Sequence, residues 1–207
     1  MKQLRRCLAV LPAVPLCALG VAIFVRANLG SDPLTMFEIA LSNLLSISLG
    51  TTSFAFEGFI FILFFMINRK LINFGSFAFA FGIGPCIDLF TNLLNQLLPE
   101  TNTLLLQTMY LIFGTLFICI SLAYYIPMDF GYQTSDILAL SVSEWFKLSY
   151  GISFSIVYAI LFVSALLLGG PWGIGTVVAT LVFGPIIDFL KERFAPYSLK
   201  IAGVVTE

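Results

Sequence analysis

Histidine is absent from this 207-residue chain. That removes the side chain most used for acid–base chemistry near neutral pH, and the commonest metal ligand. Charge is scarce as well. Lys and Arg number 10 and Asp and Glu 11, together 10% of the residues, where soluble domains carry about 25%. So little charge cannot solvate the surface of a protein this size. A soluble enzyme and a nucleic-acid binder are excluded on that ground, and lipid is the expected solvent for the surface. Cysteine is sparse: Cys7, Cys17, Cys86 and Cys119 sit in or beside apolar runs, and none forms a CxxC pair. Without histidine a zinc site is not expected, and the four read as small buried hydrophobes. Bulky Leu16 before Cys17 argues against a lipoprotein signal. No metal and no cofactor are expected.

What is abundant is apolar. Hydrophobic residues make up 59% of the chain, 22 of the residues are Phe, and the mean hydropathy is +1.03. A bilayer core of about 30 Å takes about 20 apolar residues as helix. Six segments qualify: 8–26, 52–68, 74–97, 104–126, 152–170 and 173–190. Two semi-polar segments, 33–48 and 134–148, are shorter. At about 1.5 Å per residue each covers only about 24 Å, so each could cross, re-enter or lie along the interface.

Basic residues choose between these topologies. With six spans and the N-terminus inside, Lys2, Arg5, Arg6, Arg69, Lys70, Lys147, Lys191, Arg193 and Lys200 are cytoplasmic, and Arg26 alone is outside. If both short segments crossed, Arg69 and Lys70 would move outside. The six-span arrangement is therefore expected, with both termini in the cytoplasm. Residues 1–26 also have a signal-peptide layout, a basic start and then an apolar run. The run is long enough to span, and its counterpart in the second half is uncleaved.

The chain is read as a duplication. Gly30 and Gly50 bracket the first short segment, and Gly131 and Gly151 bracket the second at an offset of 101. Further on, Gly75 with Gly84-Pro85-Cys86-Ile87-Asp88 matches Gly175 with Gly184-Pro185-Ile186-Ile187-Asp188 at an offset of 100. Each unit holds three spans, an odd number, so the second copy must run upside down. Inverted repeats of this kind recur in transporters, with sites near the midplane between the halves.

Ionisable groups inside a membrane are costly, by about 2.5–3.5 kcal/mol on insertion scales. Glu57 and Asp88 lie within spans with no neighbouring Lys or Arg. Asp188 is the counterpart of Asp88, with Lys191 one turn on; Tyr158 is the counterpart of Glu57. Each acid could bind a proton, a cation or a substrate group, or could simply bond to a neighbouring helix. Pro85 and Pro185 each remove a helical hydrogen bond and free the carbonyls of Phe81 and Leu181, so Gly84-Pro85 and Gly184-Pro185 are expected kinks.

Ser31-Asp32-Pro33 reads as an N-cap with proline in the first turn. Thr35, Glu38, Ser42 and Ser46 then form a polar stripe, opposite Met36, Phe37, Ala40 and Leu44. In the second copy Thr134 and Ser135 can cap, Asp136 lies in the first turn, and Glu144 is expected to pair with Lys147. Arg26 is expected to pair with Asp32. Such helices could lie in the interface or dip inward to line a path. The glycine-rich run 169–175 suits an external turn with Trp172 as an interfacial anchor; it lacks the Lys of a phosphate loop.

Leu29-Gly30 with Pro33, followed by Gly50-Thr51 and Ser53, resembles the first repeat of YczE-type bacterial membrane proteins. Gly169-Gly170-Pro171 and Gly173-Ile174-Gly175-Thr176, ending in Gly184-Pro185, resembles their second repeat. The wider group is the YczE/YyaS/YitT family, and the likeness covers about residues 15–190. Gln133-Thr134 departs from the expected Gly-Pro-like turn. The resemblance implies a multi-pass protein of the bacterial inner membrane, described as a permease without a settled substrate or agreed site residues.

The expected fold is therefore an all-α membrane protein of six transmembrane helices in 3+3 inverted-topology repeats. Each repeat has an additional short amphipathic or re-entrant helix. Residues 1–207 form one membrane domain, with repeats at 8–100 and 101–193 and a cytoplasmic tail at 194–207. The expected function is secondary transport of a small solute by alternating access, with a non-transporting scaffold protein and a channel as alternatives. Asp88, Asp188, Glu57, Asp32, Asp136 and Glu38 are the candidate pathway residues. No enzymatic pattern is present, and no nucleic acid is expected as a partner. The expected partners are the lipid bilayer, the solute, and either a second copy or another membrane protein.

Overall fold

A computed structural model describes residues 2–98, 103–148 and 150–203. Those residues are helical with no strand. Helix α1 (Lys2–Val10) is separated from α2 (Ala13–Arg26) by a break at Leu11 and Pro12. The order continues with α3 (Pro33–Leu45), α4 (Leu49–Ile67), α5 (Phe74–Leu97), α6 (Leu104–Tyr125), α7 (Thr134–Phe146), α8 (Tyr150–Leu167) and α9 (Ile174–Ala202). A 3-10 turn follows α4, and another follows α6.

Five stretches are long and apolar enough to cross a bilayer: Gln3–Arg26, α4, α5, Leu104–Met128 and α9. This is the build of a multi-pass membrane protein. The sixth expected span falls on α8, whose apolar stretch Ile152–Leu167 is shorter than the other five. The residues expected as a tail, 194–207, are helical through Ala202. That end is held because Arg5 donates to the carbonyls of Ile201 (2.8 Å) and Lys200 (3.1 Å) in the last turn, where helix carbonyls run out of intrahelical donors. Residues 204–207, and the expected junction of the halves at 100 and 101, lie outside the described residues.

The core forms where α2 packs on α5 and α6, with α9 against α6. Small residues allow the closest approach. A Cβ on Gly20 would lie 2.7 Å from the Ile118 nitrogen, and one on Gly114 would lie 2.6 Å from the Phe24 nitrogen. Membrane helices pack through such contacts because lipid offers no hydrophobic drive between them.

The backbone repeats itself along the chain. Positive φ occurs at Asn28 and Asp129, at Gly30 and Gly131, and at Ser46 and Lys147, each pair 101 residues apart. Helices α3 and α7 start at the same offset and are both 13 residues long. Two hydrogen bonds cross reciprocally between the halves. Gly75 donates to the Phe130 carbonyl at 2.8 Å, and Gly175 donates to the Leu29 carbonyl at 2.6 Å. Acceptors 101 apart thus meet donors 100 apart, each half holding the other.

Contacts also sort the helix ends. At one end Arg5 meets Lys200 and Ile201, Arg6 stacks over Phe130, and Asn68 donates to Glu144 at 2.6 Å. At the other end Arg26 meets Asn95 and Leu98.

Candidate functional site

Most of the polar stripe of α3 turns inward. Thr35, Glu38 and Ser42 are buried, as are Met36 and Ala40 of the opposite side, whereas Ser46, Leu44 and Leu45 at the far end are exposed. Asp32 is the N-cap: its Oδ1 accepts from the Leu34 nitrogen at 3.1 Å and the Thr35 nitrogen at 3.2 Å. Two turns on, Glu38 is only 3% exposed. One of its oxygens accepts from Ser53 of α4 at 2.5 Å, and the other has no partner.

Glu57 of α4 is 5% exposed. The Thr134 hydroxyl, at the start of α7, bonds to it, while its Oε2 has no partner. Glu38 and Asp32 are both close enough to act on Glu57 electrostatically. The first turn of α3, the middle of α4 and the first turn of α7 therefore converge on one buried acidic cluster. The groups acting on Asp32, Glu38 and Glu57 are hydroxyls, backbone N–H groups and each other. Two helix N-termini bring partial positive charge to it.

A cavity of about 860 Å³ lies beside this cluster. Its wall includes Pro33, Gln133 and Asp136, from the starts of α3 and α7, and then runs between α8 and α9. Phe154, Ser155, Tyr158 and Phe162 line one side; Thr176, Thr180, Gly184, Asp188 and Lys191 line the other. Near its mouth Tyr132 donates to Asp129 at 2.6 Å. That bond, with partial burial, pushes the phenol up to about 12, so Tyr132 stays neutral.

The cavity lies where two helices stand apart. Helix α4 packs along α5, but among the described residues α8 and α9 have no comparable packing. A Cβ on Gly84 would strike the Gly50 carbonyl oxygen and lie 2.8 Å from the Phe54 Cβ; one on Gly184 would meet nothing within 4 Å. The paired acids follow suit. Asp88 accepts from the Gly50 nitrogen at 2.9 Å and from the Ser48 hydroxyl, and so caps α4. Asp188 is 77% exposed and pairs only with Lys191, at 3.3 Å. Pro85 and Pro185 both lie inside continuous helices.

A sequence profile described as a family of unknown function (DUF6198) matches residues 4–192. The chain belongs to that family. It is 25% identical over 189 residues to the uncharacterized protein YyaS of Bacillus subtilis (strain 168), covering 87% of this chain and 94% of that protein. No solved structure matches.

In this DUF6198 chain the expected pathway acids separate into three places. Asp32, Glu38 and Glu57 come together; Asp136 and Asp188 share the wall of the adjoining cavity; Asp88 stands apart at the start of α4. Three local expectations are corrected. Arg26 does not pair with Asp32, because Asp32 is taken up by the α3 N-terminus. Arg26 donates instead to Asn95 and to the Leu98 carbonyl, at 2.8 Å, at the end of α5. Glu144 accepts from Asn68 rather than pairing with Lys147, which adopts the left-handed C-cap of α7. The N-cap of α7 is Gln133, not Thr134 or Ser135; its amide donates to Ser135 at 3.0 Å, and Thr134 is turned to Glu57. Ser48, Ser53 and Thr134 were not singled out as partners of the acids. A hydroxyl in a span carries little signal until its neighbour is known.

Proposed function

We propose that the protein is a secondary transporter, or permease, for a small solute. It works by alternating access between two inverted repeats in the bacterial cytoplasmic membrane. One observation carries this: the same Gly-Pro-x-x-Asp element is shut against its neighbour in one half and apart from it in the other. The α4–α5 pair and the α8–α9 pair are two packings of one design. Exchange of the two packings between halves would move the opening from one face of the membrane to the other.

Topology supports the assignment of faces. Helix α8 has 18 residues, about 27 Å at 1.5 Å each, and completes six crossings. The end that gathers Arg5, Arg6 and Lys200 is basic and therefore cytoplasmic, and both termini lie there. Helices α3 and α7 are then re-entrant, with their N-termini meeting inside the membrane. Asp88 and Gly84 seal the outer side, and the α8–α9 gap opens inward past Asp188 and Lys191. By sequence, Ser149 and Gly151 stand where Ser48 and Gly50 do in the first half. The role is non-enzymatic, and the energy comes from an ion gradient or a partner, since the sequence has no nucleotide-binding motif.

Cysteine pairs test the exchange. Phe54→Cys with Gly84→Cys sits across the shut pair, and its counterpart Ser155→Cys with Gly184→Cys spans the open gap. Disulfides need Cβ atoms about 3.8 Å apart. In membranes the first pair should cross-link once the Gly50 carbonyl gives way to the Cβ added at Gly84. The second should cross-link more slowly, and each disulfide should suppress the other. If the second pair never forms, or both form together, alternating access is wrong. A stoichiometric partner copurifying in the absence of any solute flux would favour the scaffold role.

A further inference from the structure

We infer that Glu38 and Glu57 form a shared proton-binding site, loaded from the α8–α9 cavity, that couples proton movement to the opening of that cavity. This deepens the transporter proposal and rests on it. Both carboxyls are nine-tenths or more buried, and each keeps one oxygen with no partner among the described residues, Oε1 of Glu38 and Oε2 of Glu57. Two buried carboxylates that act on each other, with no basic side chain among the described residues acting on either, cannot both stay ionised. They must hold at least one proton between them, or a cation.

The surroundings favour the proton. Among the described residues no three acidic or thiol groups are placed to hold a metal ion. The side-chain groups bonded to the pair are hydrogen-bond donors, the Ser53 and Thr134 hydroxyls. The groups acting on the pair come from several helices. Helix α3 brings Asp32, α2 brings Cys17, and α7 brings Thr134 at its positive end. Helix α8 brings Tyr158 and α7 brings Asp136, both to the cavity wall.

The route is short. Gln133 and Asp136 line the cavity, and Thr134 between them bonds to Glu57. Loading turns one carboxylate and one hydronium into a carboxylic acid and water. Release is the reverse, helped by the α7 N-terminus, which stabilises the returning negative charge. The pair bridges α3 and α4, and through Thr134 it reaches α7. A change in its charge therefore alters contacts on both short helices, and these helices pack on α8.

The test uses the full chain in phosphatidylcholine liposomes. Infrared spectra across a pH series should show the carbonyl stretch of a dehydrated, protonated carboxyl. Glu57→Gln should abolish it and Glu38→Gln should shift it, while Asp88→Asn and Asp188→Asn leave it in place. In parallel, with the four native cysteines replaced, thiol labelling of Ser155→Cys in the cavity, taken relative to an exposed Lys70→Cys so that the pH dependence of the thiolate itself cancels, should vary with pH, and Glu57→Gln should hold that ratio at its acid-pH value. Glu38→Gln gives the same comparison should Glu57→Gln misfold. Absence of the band, its survival in both glutamine variants, or its displacement by Na⁺ or K⁺ at constant pH overturns the proton site. A titrating band with pH-independent labelling overturns the coupling. The band does not depend on the Ser155–Gly184 cross-link, so failure of alternating access is distinguishable from failure of the proton site.

Discussion

Gly84 and Gly184 each precede a proline one turn before an aspartate, yet an added methyl group would meet opposite surroundings. At Gly84 it would collide with the backbone of α4 at Gly50 and Phe54; at Gly184 it would enter open space. Overpacking a tight contact costs about 1–3 kcal/mol, whereas alanine in a helix gains about 0.5–1 kcal/mol over glycine. Gly84→Ala should therefore lower the melting temperature of the purified protein, and Gly184→Ala should leave it unchanged or raise it. The same Gly184→Ala should slow transport, because its methyl group obstructs closure of α8 on α9. Equal thermal shifts in the two variants would mean that the halves are closed alike. The aspartates carry the same contrast. Asp88 satisfies one backbone N–H and one hydroxyl of α4, whereas Asp188 makes a largely exposed ion pair of a kind worth little.

At the scale of elements, the two halves are held by a pair of reciprocal contacts. The start of α5 is fixed to the turn before α7 through Gly75 and Phe130, and the start of α9 to the turn before α3 through Gly175 and Leu29. Neither glycine has room for a side chain: a Cβ would lie 2.5 Å from the Phe130 oxygen and 2.9 Å from the Leu29 oxygen. Gly75→Val and Gly175→Val should destabilise by similar amounts, several kcal/mol of combined overpacking and lost hydrogen bonding, read as matching losses of folded protein on gel filtration. Much of this level was legible in the sequence. The apolar runs marked the long helices, and Asp32-Pro33 marked the start of α3. The glycines at 30, 75, 131 and 175 marked the joints, because close backbone approach leaves few alternatives. The direction of the α3 stripe was not legible, since a polar face can turn to water or to buried acids. The meeting of Glu38 with Glu57 depends on how α3 packs on α4, which no spacing encodes. Nor could sequence separate a shut pair from an open one, because Gly84-Pro85 and Gly184-Pro185 are the same motif and differ only in what stands opposite.

For the whole molecule, the distribution of ten basic residues is the strongest constraint on orientation. Packing gives it a physical counterpart: Arg5 and Arg6 meet the ends of α9 and α6 on one side, and Arg26 meets the end of α5 on the other. Lys70 and Asn28 are both exposed and fall at opposite ends in this arrangement. In a background with Cys7, Cys17, Cys86 and Cys119 replaced, an impermeant thiol reagent added to intact cells should label Asn28→Cys. It should reach Lys70→Cys only after the membrane is opened. If α3 and α7 crossed fully instead, Lys70→Cys would react from outside. That outcome would remove the inversion of the two halves, and with it the assignment of the α8–α9 gap to the cytoplasmic face. The expected pattern would make α3 and α7 re-entrant. Their N-termini would then bring Asp32 and Thr134 to Glu57 inside the bilayer, where an unneutralised acid is most costly and its protonation most closely tied to the conformation around it.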